Sequence, residues 1–238
     1  MKRIFLAATI AVATAGPGMA ETLKAVPTSL DPTKAYILVE YRLIANNFAD
    51  LPGSRKTLPL IAGLSFGSYD DAAHDLKKDA KGHPLIEAFR NREIVRVEGA
   101  RLHLIETDPG LWVIAGWGDT SFALGSYSFR LEAGKITDLG VVTGAQDWAE
   151  GDRAMNSGDL MKMALLGPFA KQPAIAPMRA SFRPRDEGDI PVPMTLTGVT
   201  YAVAFTPDQK FGNYQGRLVN RIEGANARLR DGATPKAD

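Results

Sequence analysis

From residue 35 to residue 44 apolar and polar positions alternate: Ile37, Val39, Tyr41 and Leu43 fall on one face, Glu40 and Arg42 on the other. Successive side chains of an extended chain point to opposite sides, so a period of two predicts a half-buried β-strand here. Asp31-Pro32 before it and Leu51-Pro52-Gly53-Ser54 after it are turn signals that bound it. The alternation is clearest between Ala100 and Gly144. Residues 101–106 read as a strand, Asp108-Pro109-Gly110 as a tight turn, and residues 111–117 as the returning strand. Tyr127, Phe129 and Leu131 then alternate with Ser128, Arg130 and Glu132, Ala133-Gly134 turns the chain, and residues 136–142 lead back. The gaps are too short for the crossover helices of a parallel sheet, so antiparallel pairing in a sandwich or barrel is expected.

Elsewhere the period changes. The polar stretch 69–92, with Asp70, Asp71, His74, Asp75, Lys77 and Lys78, predicts a short helix or a long surface loop. Residues 158–169 place Leu160, Met163, Ala164 and Leu165 at helical spacing and stop at Gly167-Pro168. Strands are predicted at 178–183 and 195–205. Pro191 and Pro193 between them lack backbone donors, which predicts an edge or a linker. Phe211, Tyr214, Leu218, Val219 and Ile222 are spaced for a last short helix, and the tail from Gly224 is expected to fray. The predicted fold class is mainly β. An antiparallel β-sandwich over 21–146 is followed by a helix-plus-strands extension over 147–223, either a second small domain or a completion of the first sheet, and by a flexible tail over 224–238.

The first twenty residues stand apart from this pattern. Lys2 and Arg3 precede an apolar stretch from Ile4 to Ala15, and Gly16, Pro17 and Gly18 break it before Ala20. That is the layout of a secretory signal peptide, with Gly18 and Ala20 where a peptidase reads small residues and cleavage expected between Ala20 and Glu21. The stretch is too short for a stable membrane anchor. Its removal leaves 26 basic against 27 acidic residues, so no electrostatic case for nucleic acid remains. Lys77, Lys78 and Lys81 are interleaved with Asp75 and Asp79, a solvated face rather than a basic patch for a membrane surface. The 238 residues, 45% hydrophobic and 23% charged, suffice for a core without staples. Zero cysteines exclude disulfides, a thiol nucleophile, a cysteine metal site and a lipid-anchored cysteine. A mature chain free in the periplasm or secreted, with no transmembrane span after signal cleavage, is the expectation.

The run DPGLWVIAGWGDTSFALGSYSFRLEAGKITDLGVV, residues 108–142, resembles a pattern in uncharacterised exported bacterial proteins with transthyretin-like β-sandwiches. The shared features are a strand after an Asp-Pro-Gly turn and a strand that ends in a Gly-Lys turn and a Leu-Gly pair. The resemblance spans residues 36–142, implies the sandwich fold and carries no activity. The lipid-attachment cysteine common among such exported proteins is missing here.

Candidate chemistry is sparse. Gly63-Leu64-Ser65-Phe66-Gly67 matches the Gly-x-Ser-x-Gly elbow of a serine nucleophile, but the last histidine is His103, whereas that hydrolase order places its histidine late. A glycine-flanked strand or turn fits better. Asp70, Asp71, His74 and Asp75 have spacings one helical face would gather around a metal, yet three lysines share the stretch and a solvated turn explains it equally. His83 and His103 read as surface and sheet residues, and Glu93, Glu98, Glu106 and Asp108 as exposed carboxylates without a motif. No phosphate loop and no cofactor motif is present. Trp112 and Trp117 fall on opposite faces of one strand unless Gly116 forms a bulge, which leaves one of them as a candidate ligand contact against the alternative that both are core. Asn213, Arg217, Asn220 and Arg221 are candidate polar contacts that helix solvation also explains. Two readings follow: a non-catalytic envelope module binding a protein, glycan or lipid, and, as the alternative, a periplasmic or secreted hydrolase whose site is assembled from distant strands.

Overall fold

The computed structural model describes residues 20–42, 44–45, 50–54, 57–58, 64–88, 92–117, 120–121, 126–146, 150–151, 153, 155–170, 178–208, 210–211 and 221–223. Residues 1–19 of the expected leader, the tail from Gly224 and most of the predicted last helix lie outside these residues. The strands are β1 (Glu21–Thr22), β2 (Ala35–Arg42), β3 (Ile44–Ala45), β4 (Thr57–Leu58), β5 (Leu64–Asp70), β6 (Asp75–Leu76), β7 (Ile86–Ala88), β8 (Val95–Val97) and β9 (Ala100–Thr107). They continue with β10 (Gly110–Trp117), β11 (Thr120–Ser121), β12 (Ser126–Leu131), β13 (Ile136–Gln146), β14 (Met178–Arg183), β15 (Thr200–Ala202), β16 (Thr206–Asp208) and β17 (Arg221–Glu223). Helix α1 spans Ser157–Leu166.

Two sheets pack together as a mainly β sandwich. The first runs β1-β9-β2-β13-β14-β17, with β8 also on β9 and β15 also on β13; the second runs β16-β12-β10-β5-β6, with β11 on β10 and β7 on β5. Their facing sides form the main core, where Ile37, Val39, Tyr41, Ile105 and Phe182 of the first sheet meet Phe66, Trp112, Ile114, Phe129 and Leu131 of the second. Phe205 joins it edge-on to Phe129 and Phe182. Each such side chain contributes roughly 1.5–3 kcal/mol by leaving water.

Most strand pairs are antiparallel, as short turns require, but three are parallel: β13 with β2, β13 with β15, and β14 with β17. Their chain connections are long, so no local turn signal announces them. The extension is thereby divided between both sheets, since β14 and β15 border β13 while β16 borders β12.

The expectation of a half-buried β2 is corrected. Every residue from Ala35 to Tyr41 is buried, because the outer face of the first sheet is covered as well. Tyr36, Leu38, Leu102, Leu104 and Ile136 pack there under Leu23, Val26 and Leu30 from the N-terminal segment and Ile190, Val192, Leu196 and Val199 from the segment after β14. Residues 69–92 form no helix in their described part; β5 reaches Asp70, residues 71–74 turn, and β6, a Lys78–Pro84 bridge and β7 extend the second sheet. The strand expected at 195–205 is instead a 3-10 turn, Thr197–Val199, followed by the short β15. At the end of the predicted last helix, Ile222 lies in strand β17. No helix among the described residues is long and apolar enough to cross a membrane.

Candidate functional site

The densest polar constellation sits on the outer face of the first sheet. Glu40, fully buried in β2, accepts from Arg185 Nη1 at 2.6 Å and from the Ile190 backbone N–H at 2.9 Å. Arg185 also grips Asp138 through Nε and Nη2, both at 3.0 Å, and donates to the Ile190 carbonyl. Beside it Asp189 accepts from both terminal nitrogens of Arg183, at 2.6 and 2.5 Å, from Arg42 and from the Asp186 N–H. The Arg183 guanidinium holds the Asp189 carboxyl well below the usual carboxylate range. These residues lie up to 150 positions apart in sequence, so no motif joins them. Charges are removed from water here, and the fork-shaped bidentate pairs offset that cost.

The backbone explains the location. The pairing of β2 with β13 shifts register between Asp138 and Val141, and Gly140 takes φ 78 with its N–H bonded to Asp138 Oδ1 at 2.8 Å. A Cβ at Gly140 would run into the Arg183 carbonyl oxygen. At this bulge β13 exchanges β15 for β14 as its neighbour, and a cavity of about 280 Å³ opens between them. Phe182, Phe205 and Leu139 line its core side, and Asp138, Arg183 and Arg185 its charged side. Those charged groups already hold one another, so they fasten the segment after β14 to the sheet rather than stand poised for chemistry.

A second constellation joins the residues flagged for metal to a distant strand. Asp208, buried on β16, accepts from His74 Nδ1 at 2.7 Å and from the Tyr69 hydroxyl, while its other oxygen takes the Lys210 and Phe211 N–H groups at 2.8 and 3.2 Å. His74 is held at φ 50, a left-handed conformation a non-glycine residue seldom adopts. Phe211 packs edge-on to Tyr69 over Val113, so the cluster ties the chain after β16 to the outer face of the second sheet. The other flagged carboxylates point elsewhere. Asp70 caps the turn by accepting from Ala72 and Ala73, and Asp75 pairs with Lys78 at 3.3 Å. No group of three or more His, Asp or Glu among the described residues is placed to hold a metal.

The remaining sequence candidates are dispersed. Trp112 faces the core at 6% exposure and its indole N–H donates to the Asp108 carbonyl at 3.1 Å, which leaves it no face for a ligand. The pairing with β5 shifts register between Ile114 and Gly116, the bulge that was one of the two alternatives left open by alternation. The Trp117 side chain lies outside the described residues, as do Asn213, Arg217, Asn220 and the Arg221 side chain. Ser65 sits mid-strand opposite Gly116 and Ala88 rather than at an elbow, and Leu76 packs so close to Gly67 that a side chain there would collide with it. His103 is buried, with Nδ1 bonded to the Arg92 carbonyl at 2.7 Å, and burial pushes its pKa down. Glu106 takes the Tyr36 hydroxyl, Asp108 pairs with Lys34, Glu93 with Arg96 and His83 with Asp79, while Glu98 lies exposed in a turn.

A surface of another kind lies on helix α1 and the turn after it. Helix α1 is well started, with Asn156 as N-cap in a capping box with Asp159. The Arg153 guanidinium lowers the pKa of that half-buried carboxyl to about 2. Yet no residue of the helix is buried. Met161, Leu165 and Phe169 are 67%, 78% and 90% exposed, and Leu160 and Leu166 are exposed beside them. Helical spacing announced Leu160, Met163, Ala164 and Leu165 as the apolar stripe; Met163 is half-buried, and Leu160, Ala164 and Leu165 are exposed.

Comparison with known protein families, with curated proteins and with solved structures finds no match to this chain.

Proposed function

We propose that the protein is an exported, non-catalytic envelope module that binds a protein partner through helix α1 and the turn that follows it. The apolar surface of Met161, Leu165, Leu166 and Phe169 carries this reading, since several large apolar side chains exposed together on one helix and the turn after it mark an interaction site. A protein partner fits better than a lipid surface. The helix is apolar on nearly all sides and has one basic residue, Lys162, whereas a helix that lies in a bilayer interface has a strongly basic polar face. Methionine and phenylalanine also suit protein interfaces, and a helix seats readily in an apolar groove. The leader pattern of residues 1–20 supports export to the periplasm or beyond. The transthyretin-like relationship belongs to the same proposal.

The test is affinity capture from a solubilised envelope extract with residues 21–238 immobilised, beside a chain carrying Met161→Glu and Leu165→Glu. A protein retained by the first and lost by the second, at equal thermal stability, supports the reading. Capture that survives both substitutions, or retention on phosphatidylglycerol vesicles instead, counts against it. The hydrolase reading rests on one observation, the orientation of His74 by a buried carboxylate. Turnover in an ester, peptide or glycoside screen that His74→Gln abolishes would favour it.

A further inference from the structure

We infer that the cavity at the break between β15 and β14 binds a small carboxylic acid that carries one apolar ring. The site is separate from α1 and stands or falls without the docking reading. Protein interiors are packed closely enough that voids larger than a water molecule are few. Here a cavity of about 280 Å³ opens beside core side chains, the share of about nine waters at roughly 30 Å³ each. The sheet itself explains the space. β15 pairs with Ile136 to Asp138 of β13, β14 pairs with Val141 to Gln146, and Leu139 and Gly140 between them pair with neither. The Val203 N–H reaches the Asp138 carbonyl at 3.0 Å, and the gap begins where that contact ends.

The two ends of the cavity differ in chemistry. Leu139, Phe182 and Phe205 line one end; all three are buried in the core between the sheets, and Val203 packs against them. The Phe182 and Phe205 rings meet edge to face at 5.5 Å, an aromatic wall against which a further ring packs favourably. Asp138, Arg183 and Arg185 line the other end. Arg185 is fully engaged with Asp138, Glu40 and the Ile190 carbonyl. Arg183 gives Nη1 and Nη2 to Asp186, Asp189 and the Pro184 carbonyl, while its Nε donates to none of the described residues. With 44% of its side chain exposed, Arg183 has Nε left for a ligand oxygen. A donor selects an oxygen acceptor over an amine, and two arginines against the single Asp138 in the lining favour a charged acceptor. Ring at the core end and carboxylate at the mouth is the orientation this lining sets.

The experiment titrates 3-phenylpropionate, its amide and 3-phenylpropylamine into the full chain. Affinity is read from chemical-shift changes and position from nuclear Overhauser contacts of the ring protons. The expected result is a dissociation constant of about 1 mM or tighter for the acid, roughly tenfold weaker binding of the amide and none of the amine. Contacts should fall on the methyl groups of Leu139 and Val203 and on the rings of Phe182 and Phe205. Ala202→Trp, at an exposed residue of the rim, should close the mouth and abolish binding at an unchanged melting temperature. No binding of the acid up to about 10 mM, binding of the amine as tight as that of the acid, or contacts away from these four residues would overturn the inference. Binding that survives Ala202→Trp in a folded chain would overturn it too; where that variant unfolds, the contact map decides.

Discussion

The segment after β14 and helix α1 depart from ordinary burial in opposite directions. The first buries Asp189 and, through Arg185, closes over the fully buried Glu40; the second leaves Met161, Leu165 and Phe169 in water. Both departures are unfavourable by themselves, since charges prefer water and large apolar groups avoid it. They differ in what offsets them. Every carboxylate of the charged lock meets an arginine of the same chain, so the compensation is internal and the lock is architecture. The helix has no equivalent among the described residues, and an external surface is the natural compensation. An unusual residue therefore points to function where its partner is missing, not merely where it is unusual.

The largest expected effect tests the lock's backbone. Gly140→Ala forces a side chain into the Arg183 carbonyl at a left-handed residue, and urea unfolding should show a loss of about 4 kcal/mol or failure to fold. Next comes Glu40→Gln, which removes the charge Arg185 meets on β2 while Asp138 still holds that arginine; a loss of about 1–3 kcal/mol is expected, read from the urea midpoint at constant slope. Replacing Glu40, Arg185 and Asp138 together by apolar or amide side chains of similar size should recover most of that loss. If the triple change is as harmful as the single one, the lock is not self-compensating and the contrast with the helix fails.

Acid offers an intermediate effect with a defined sign. Burial lowers the pKa of His103, so below about 6.5 the unfolded chain binds a proton the folded chain refuses, and stability falls as pH drops from there. The carboxyl of Asp189 is depressed by Arg183, so its contribution is complete above about 3.9 and is lost as pH falls below that value toward the folded one. Melting curves across this range should show both declines, with His103→Gln removing the upper and Asp189→Asn the lower. A flat profile between pH 7 and 5, both approximate bounds, would contradict the buried placement of His103. The smallest expected effect is on the helix. Met161→Glu and Leu165→Glu should change stability by no more than about 0.5 kcal/mol, because neither side chain is buried. A large loss would mean that the helix packs on its own chain and carries no docking role.

Much of the sandwich was legible in local pattern. The strands on either side of Pro109-Gly110 and of Ala133-Gly134, the strand at Met178–Arg183 and the helix that stops at Gly167 all appear where period and turn chemistry put them, but each of the two turns carries the chain from one sheet to the other instead of closing a hairpin. The register shift beside Gly116 was legible only as one of two alternatives for a strand with two tryptophans in alternation. The polar constellations were not. Nothing near Glu40 distinguishes it from a solvent-facing glutamate, because its partners Arg185 and Ile190 follow some 145 and 150 positions later. His74 was noticed for neighbouring aspartates, whereas the carboxylate that holds it is Asp208, 134 positions away.

By itself, then, the sequence determined β2, β9, β10, β12, β13 and β14, helix α1 and the leader pattern, because these depend on residues within one or two turns of each other along the chain. The tertiary structure alone decided that β2 is buried on both faces, that β13 pairs in parallel with β2, that Trp112 is core, and that Met161 and Leu165 of α1 are exposed. Burial and pairing are set by whichever distant segment reaches a given face. That segment's arrival is a property of the closed fold, which no local alternation records.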